Sequence, residues 1–323
     1  MIHRFTRRAS AVLASTRLLV LMCSLSVTMT WAGSLAATVP QGDAIAGRIQ
    51  GLLRKSVEDL IFVQGGSFKM GDFGQVHSAD RLPYTGQSEA LPLHEVELDG
   101  FSIGRYKVTY EDFDVYTDAK GLPRIATARF DARYRLQPGV PAGVNWAEAK
   151  AYCRWVGEMT HLPFDLPTEA QWEYAARDRG KFVVWATSDG GFEVGKSVAS
   201  DEQYEQFMPS VPSPSVHPNG RFPPSPLGLY DMGLSGFEWA DDWFSPDYYS
   251  HSPRKNPRGP ATGTEKVQRG IDARSADTAM TMYRERRAPM ARPFVGHDGQ
   301  VKSERDVRSG FRCVVNRASP VVP

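Results

Sequence analysis

Sulfur chemistry in this sequence depends on three cysteines, Cys23, Cys153 and Cys313. Cys23 lies in a segment that resembles a secretory signal, so an exported chain would keep only the other two. In an oxidising compartment two cysteines predict one structural disulfide, and two unrelated buried thiols are the alternative. A disulfide that closes a loop of about 160 residues could stabilise the fold by as much as about 5 kcal/mol.

Acidic and imidazole side chains give weaker indications of chemistry. Glu238, Asp241 and Asp242 form an acidic run, for which a solvated or calcium-linked role is favoured over acid–base catalysis. His94 lies in a strand motif and is interpreted as structural. Four further histidines stand in polar loops without the spacing of metal ligands: His161, His217, His251 and His297. The sequence therefore predicts no zinc or iron centre.

The first 38 residues are predicted to be a cleaved signal peptide. Four arginines, without any acidic residue, precede an apolar run over residues 18–29, and small residues follow it. The run is short and interrupted by Ser and Thr, whereas a bilayer span takes about 20 apolar residues, so a retained anchor is the weaker alternative. The predicted location of the mature protein is the periplasm.

The mature chain carries no excess of positive charge. Without the four arginines of the signal, 34 Lys and Arg remain against 37 Asp and Glu, which gives a net charge of −3. Nucleic-acid-binding proteins normally present a basic face, so no nucleic-acid partner is expected. A hydrophobic content of 41% supplies enough apolar material for one large domain.

The pattern of apolar residues predicts a mixed fold of helices and strands. Residues 39–60 are predicted to form an N-terminal amphipathic helix, because apolar side chains recur there at three- and four-residue spacing. Residues 61–70 are predicted to form a strand, a glycine turn and a second strand. Two more strands are predicted over 94–98 and 101–108, paired around Asp99-Gly100, a good hairpin dipeptide.

Helix starts are predicted from residues that can cap the first turn. Two pairs have the spacing of a capping box: Asn145 with Glu148, and Thr168 with Gln171. Thr109, followed by acidic residues, predicts another helix start. Residues 187–227 and 244–263 are dense in Gly, Pro and Ser, which predicts packed loops instead of long helices.

Several motifs occur in order between residues 65 and 313. They are GGSFKMG (65–71), HEV (94–96) with VT (108–109), LPTEAQWEYAAR (166–177), GLYDM (228–232) with FEW (237–239), and GFRC (310–313). By these motifs the chain is identified as a member of the formylglycine-generating enzyme, or sulfatase-modifying factor, family. The resemblance implies an α+β domain over residues 61–318, related to C-type-lectin-like folds and low in regular secondary structure. It also implies that Cys153 pairs with Cys313.

The residues with which this family carries out its oxidation are missing from the sequence. The family oxidises a substrate cysteine by means of two cysteines that bind copper as thiolates. The first of these positions falls on Ser275 or Asp277, depending on the anchor, and the second on Met282. Met280 and Met282 have thioethers, which cannot form the mixed-disulfide or thiyl species of that reaction, and they are interpreted as core-filling residues. The prediction is a non-catalytic protein that holds no copper.

The resemblance also implies a calcium site in the segment that joins GLYDM to FEW. The family binds the ion there through two side chains and two backbone carbonyls, at positions that correspond to Asp231, Leu234, Gly236 and Glu238. Hard oxygen ligands of this kind suit calcium. The alternative is a loop held by hydrogen bonds alone, because residues 233–235 depart from the family sequence.

Four arginines follow the segment in which the family's cysteines are missing: Arg284, Arg286, Arg287 and Arg292. Their guanidinium groups are candidates for docking an acidic segment of a partner protein, and ion pairs within the chain are the alternative.

An exported family member without the cysteines is closest in kind to the periplasmic accessory proteins of type VI secretion. This resemblance implies a regulatory protein that promotes activation of a membrane serine/threonine kinase of the PpkA type. The implied partners are the periplasmic part of that kinase and an outer-membrane lipoprotein. The alternatives are an oxidative maturation enzyme of siderophore biosynthesis and a calcium-dependent, lectin-like ligand binder.

Overall fold

Seven α-helices and twelve β-strands make up the regular structure in the described part of the chain. The computed structural model describes residues 41–127, 131–212, 214–271, 275–290, 293–295, 301–303 and 305–322. The predicted signal peptide, residues 1–38, lies outside these ranges. Within them, no helix is both long and apolar enough to cross a bilayer.

The helices lie mainly in the N-terminal two thirds of the chain. They are α1 (Gln41–Glu58), α2 (Gly74–His77), α3 (Tyr110–Lys120), α4 (Asp131–Arg135), α5 (Trp146–Thr160), α6 (Glu169–Ala176) and α7 (Asp201–Phe207). Helix α1 lies within the segment 39–60 that was expected to be helical.

The strands are short, and most have two to six residues. They are β1 (Leu60–Val63), β2 (Gly66–Met70), β3 (His94–Leu98), β4 (Phe101–Gly104), β5 (Phe164–Asp165), β6 (Gly236–Trp243), β7 (Lys266–Ile271), β8 (Arg284–Arg287), β9 (Pro293–Val295), β10 (Val301–Ser303), β11 (Ser309–Gly310) and β12 (Val314–Val315). Two sheets have four strands, in the orders β1-β4-β12-β5 and β11-β6-β7-β8, and the pairs β2-β3 and β9-β10 form two-stranded sheets.

Capping boxes explain where the helices of the core begin. Both predicted boxes are present, at the starts of α5 and α6, and Thr109 forms a third with Asp112 at the start of α3. A fourth box, Ser200 with Gln203, begins α7 inside the stretch that was expected to be packed loops. The local cap stabilises two helical turns there, although Gly and Pro are frequent on both sides.

The predicted hairpin around Asp99-Gly100 is wrong. Strand β3 pairs with β2, whereas β4 pairs with β1 and β12, so this dipeptide passes the chain from one sheet to another. A second connection, between β1 and β2, crosses close beside it. A Cβ atom at Gly65 would lie 2.4 Å from the carbonyl oxygen of Leu98, so only glycine allows this approach.

The larger apolar core forms where α1, α3 and α5 meet. Leu52 of α1, Phe113 of α3 and Trp155 of α5 belong to one cluster of buried side chains. Burying a side chain of this size contributes about 1.5–3 kcal/mol. The predicted disulfide between Cys153 and Cys313 is present, and it joins α5 to the segment between β11 and β12 with a Cα–Cα distance of 5.7 Å.

Candidate functional site

The segment over residues 275–283 places the family's two cysteine positions at different depths. Ser275 and Asp277 are exposed, whereas Met282 is completely buried. Met282 belongs to a small apolar cluster with Met280 and Phe73. A thioether in such surroundings fills space, which supports its interpretation as a core residue.

A network of buried ion pairs lies next to this segment. Arg269 of β7 binds Glu169 at 2.8 Å and Glu173 at 2.9 Å, and both acids belong to α6. Arg177 binds Glu173 at 2.7 Å, and Arg284 of β8 binds Glu169 at 2.7 and 2.9 Å. The five side chains are almost fully buried. Glu169 and Glu173 of the LPTEAQWEYAAR motif therefore fasten α6 to β7 and β8 of the second four-stranded sheet, whereas Arg177 of the same motif donates to the carbonyl oxygen of Lys69 on β2.

The charges of this network stabilise each other in spite of their burial. Burial alone would raise the pKa of Glu169, but the attraction of Arg284 and Arg269 outweighs it and lowers the pKa below its usual value. Arg269 also donates to the backbone carbonyl of Thr281, one residue before Met282. The network thus holds the segment that replaces the reactive cysteines, and its residues are not accessible to a substrate.

Asp242 is a buried acid beside the same network. Burial raises the pKa of Asp242 to about 8, and the negative charge of Glu169 adds to the shift. Its Oδ2 atom accepts a hydrogen bond from the backbone N–H of Glu169 at 2.9 Å. A raised pKa often marks a catalytic group, but this side chain is only 3% exposed, so we assign it a structural role. The expected solvated role of the acidic run is wrong for Glu238 and Asp242, which are both buried.

The four candidate arginines of the docking surface do not share one environment. Arg284 is buried in the ion-pair network, so its prediction as a partner-binding residue is wrong. The side chains of Arg286 and Arg287 are 46% and 40% exposed. Arg292 lies outside the described residues. Only Arg286 and Arg287 therefore remain as described candidates for docking.

Arg286 and Arg287 lie at a cavity of about 620 Å³. Residues that follow β8 form one side of it, and the segment that leads into β11 forms another. The lining includes Asn145 at the start of α5, Trp239 on β6 and the exposed side chain of Met290. Charged side chains form the rim of the cavity and Met290 supplies an exposed apolar side chain, whereas Trp239 is only 1% exposed and contributes almost no surface.

The charges at the rim of the cavity are paired within the protein. Arg286 lies 3.2 Å from Glu89 and 3.5 Å from Glu265, and Arg287 lies 2.8 Å from Asp306. The arginine side chains are partly exposed, whereas the acids Glu89 and Asp306 are mostly buried. Because a guanidinium group has five N–H donors, each arginine keeps donors that an incoming carboxylate can use beside the present partner.

The segment predicted to bind calcium surrounds a lysine side chain. The Nζ atom of Lys107 donates to the carbonyl oxygen of Ser235 at 2.9 Å and to that of Leu234, and it lies 3.9 Å from Oε1 of Glu238. Burial lowers the pKa of Lys107 to about 8, against the attraction of Glu238 and Asp231. The lysine is therefore mainly charged at neutral pH.

The predicted calcium ligands have protein donors as partners. Glu238 accepts two hydrogen bonds from Arg312, at 2.5 and 3.0 Å. Asp231 accepts one from the backbone N–H of Gly220 at 2.8 Å. Because the carbonyl of Leu234 is bound by Lys107, the donor set as it stands does not fit a calcium ion.

The histidines have structural surroundings where they are described. His94 contacts the ring of Tyr249 at 4.6 Å and the carbonyl of Pro92 at 3.0 Å. His217, which was expected in a polar loop, is buried beside the ring of Tyr204. In the described ranges no group of three or more His, Cys, Asp or Glu side chains is arranged for a metal ion. His297 lies outside those ranges.

Comparison with protein families gives one match that covers most of the chain. Residues 46–317 match the sulfatase-modifying factor enzyme 1-like domain, also called the FGE-sulfatase domain. The chain belongs to the sulfatase-modifying factor family. The fold expected from the sequence motifs, a mixed α+β domain of the formylglycine-generating-enzyme type, is confirmed by this match and by a similar solved structure.

Relatives of this sulfatase-modifying factor protein include both enzymes and kinases. A formylglycine-generating enzyme of Streptomyces coelicolor is 29% identical over 86% of this chain and 96% of the enzyme. A serine/threonine-protein kinase, Pkn1 of Chlamydia caviae, is 31% identical over 79% of this chain but only 37% of the kinase. The chain thus spans about a third of the length of the kinase relatives it matches. PvdO from Pseudomonas aeruginosa, a solved structure, is 22% identical with a TM-score of 0.56 over 80% of this chain and 94% of PvdO, which shows a shared fold.

Two residues that matter in this family member were not identified from the sequence. Lys107 was overlooked, although it alternates with Phe101 and Ile103, which are apolar and buried. A lysine on the buried face of an extended segment indicates that its charge has a partner in the interior. Asp242 was noticed only as part of an acidic run, and no local signal indicates that it is buried.

Proposed function

We propose that this protein is a non-catalytic binding protein of the periplasm that regulates a membrane serine/threonine kinase. One observation carries the first part of the proposal. At the two positions where the family has reactive cysteines, this chain has an exposed Asp277, or Ser275, and a buried Met282.

The loss of thiols removes the family's chemistry. Copper(I) in such a site needs soft thiolate ligands, and the reaction needs sulfur that can form a mixed disulfide. In the described part of the chain both cysteines belong to the disulfide between Cys153 and Cys313. The Met282 thioether is enclosed by apolar side chains and offers no thiolate.

The absence of catalysis is tested with a peptide substrate. The full mature protein is incubated with copper, oxygen and a peptide that contains the cysteine motif of a sulfatase, with the Streptomyces coelicolor enzyme as positive control. We expect no aldehyde on the peptide by mass spectrometry. Formation of aldehyde above the level without protein would contradict a non-catalytic role.

The similarity to the Chlamydia kinases supports a kinase as the partner. Those proteins are named as serine/threonine kinases, and this chain matches about a third of their length. In each of those kinases, the matched third of the polypeptide is therefore joined to further sequence that this chain does not match. We propose that this chain contacts the kinase through a docking surface of complementary charge.

The cavity lined by Arg286 and Arg287 is the surface that we propose for docking. Its rim arginines are partly exposed, and each guanidinium group has N–H donors beyond those that its present partners use. The exposed side chain of Met290 adds apolar area, and the arginine side chains suit an acidic segment of the kinase. Export in the manner indicated by residues 1–38 would place this surface opposite the periplasmic part of the kinase, and the regulated process that we propose is type VI secretion.

The docking surface is tested with a charge reversal of both arginines. The double variant Arg286→Glu, Arg287→Glu is titrated by calorimetry against the extracytoplasmic part of a membrane serine/threonine kinase from the same cell. Because new carboxylates would repel an acidic segment, we expect Kd to rise at least about tenfold.

A matched control separates this surface from the overall charge. Arg254→Glu reverses an exposed arginine that lies 3.9 Å from Glu97 of β3 and does not line the cavity. We expect this variant to bind the kinase as the unchanged protein does. An equal affinity of the double variant and the unchanged protein would rule out the cavity as the docking surface.

The other functions considered from the sequence receive less support. A calcium-dependent, lectin-like role conflicts with the lysine at the predicted calcium site. The similarity to PvdO concerns the fold, at 22% identity, and does not extend to an oxidative reaction.

A further inference from the structure

An ammonium group binds the turn at which the family resemblance implies calcium. Lys107 Nζ donates to the carbonyl oxygens of Leu234 and Ser235 and lies 3.9 Å from Glu238. The side chain is completely buried. An ammonium has three donors and no acceptor, so it is satisfied by the same carbonyl and carboxylate oxygens that calcium selects.

We infer that the Lys107 ammonium serves as an internal cation in place of calcium, and that the protein holds the turn over residues 231–238 without a metal ion. This inference rests on the geometry around Lys107 and is independent of the proposed function.

The backbone on both sides of Lys107 fixes the position of the ammonium group. The side-chain amide of Asn219 donates to the carbonyl oxygen of Lys107 at 2.8 Å. The backbone N–H of the next residue, Val108, donates to the carbonyl oxygen of Phe311 at 2.9 Å. The base of the side chain is therefore anchored, and less conformational entropy is lost when Nζ binds the turn.

The balance of charge leaves no place for a divalent ion beside Lys107. Glu238 faces Arg312 as well as Lys107, so its single negative charge already has two cationic neighbours. Arg312 is fully buried and also donates to three carbonyl oxygens, those of Gly104, Arg105 and Tyr230. A calcium ion would add two positive charges to this buried group, where like charges repel strongly.

Removal of the lysine should create the calcium site that it replaces. In Lys107→Ala the carbonyl oxygens of Leu234 and Ser235 lose their donor, while Glu238 and Asp231 remain close by. We expect the variant to have a lower Tm than the unchanged protein in a calcium chelator. Calcium chloride, at about 100 times the Kd of the variant for calcium, should then raise the Tm of the variant by about 5 to 10 °C.

Two further variants show whether the rescue is specific to this position. Lys266→Ala removes another buried ammonium, which donates to the carbonyl of Asp241 at 2.7 Å, so its Tm should fall and should not respond to calcium. Lys107→Met removes the charge but keeps most of the volume, so it should also be destabilised and should not be rescued.

The unchanged full-length mature protein gives a test that does not depend on folding of the variants. We expect no calcium in it by elemental analysis after gel filtration, and equal Tm values in chelator and in calcium chloride. Stoichiometric calcium, or a Tm that falls in chelator, would overturn the inference. A folded Lys107→Ala variant whose Tm ignores calcium would overturn it as well, because the position would then not be a cation site.

Discussion

Asp242 shows how the interior of this protein controls a single proton. Its carboxyl group lies beside Glu169, which is ionised because two arginines bind it. Burial is the main cause that raises the pKa of Asp242 to about 8, and the negative charge of the adjacent Glu169 adds to it. The hydrogen bond that Asp242 accepts from the backbone N–H of Glu169, at the start of α6, favours the ionised form and lowers the pKa, but burial and the charge of Glu169 outweigh it.

Because Asp242 holds this proton in the folded state, we expect the free energy of unfolding to depend on pH. Between its unfolded pKa of about 4 and its folded pKa of about 8, Asp242 holds a proton only in the folded state. The free energy of unfolding therefore falls as pH rises through this range, by up to about 1.4 kcal/mol per pH unit. Asp242→Asn cannot ionise, so we expect its stability relative to the unchanged protein to increase from pH 5 to pH 8, measured by urea denaturation.

The comparison at each pH removes the effect of other titrating groups. His217, whose pKa is lowered by burial, changes the slope of both proteins equally. Asp247→Asn is the matched control, because that carboxylate is exposed, and its curve should stay parallel to that of the unchanged protein. Parallel curves for Asp242→Asn would mean that Asp242 is ionised in the folded state.

The sequence predicts the starts of helices well and the partners of strands poorly. The starts of α5 and α6 depend on capping pairs three residues apart, so they could be predicted from the sequence alone. Strand β3 lies at its predicted position, whereas β4 ends at Gly104 instead of residue 108, and the two strands do not pair with each other. Strand β12, near the C-terminus, inserts between β4 and β5, and no local pattern indicates such a distant partner.

The same distinction applies to the candidate site. Loss of the cysteines could be read from the sequence, because it needs only the identity of the residues at those positions. The burial of Arg284, in contrast to the exposure of Arg286, could not be predicted from the sequence. It depends on the ion pair with Glu169, which is 115 residues earlier in the chain. Lys107 likewise binds carbonyl groups 127 and 128 residues away. Charged residues find buried partners through the tertiary fold, and their sequence neighbours contain little information about it.

One covalent bond links the middle of the chain to its C-terminal strands. The disulfide between Cys153 and Cys313 has a sequence separation of 160 residues. The loop that it closes contains α6, α7 and the entire second four-stranded sheet. A loop of this length has a large conformational entropy in the unfolded chain, and the cross-link removes much of it.

This cross-link predicts a large loss of stability when both cysteines are replaced. The double variant Cys153→Ala, Cys313→Ala should lose about 2–5 kcal/mol of unfolding free energy, because its unfolded chain is no longer constrained. The slope of the urea transition should increase, since an unlinked chain exposes more surface when it unfolds. The unchanged protein after reduction is the control, and it should lose a similar free energy without any change of side chains. If the double variant and the reduced protein unfold at the same urea concentration as the oxidised protein, the disulfide does not stabilise this fold and its conformational role would have to be sought in folding instead.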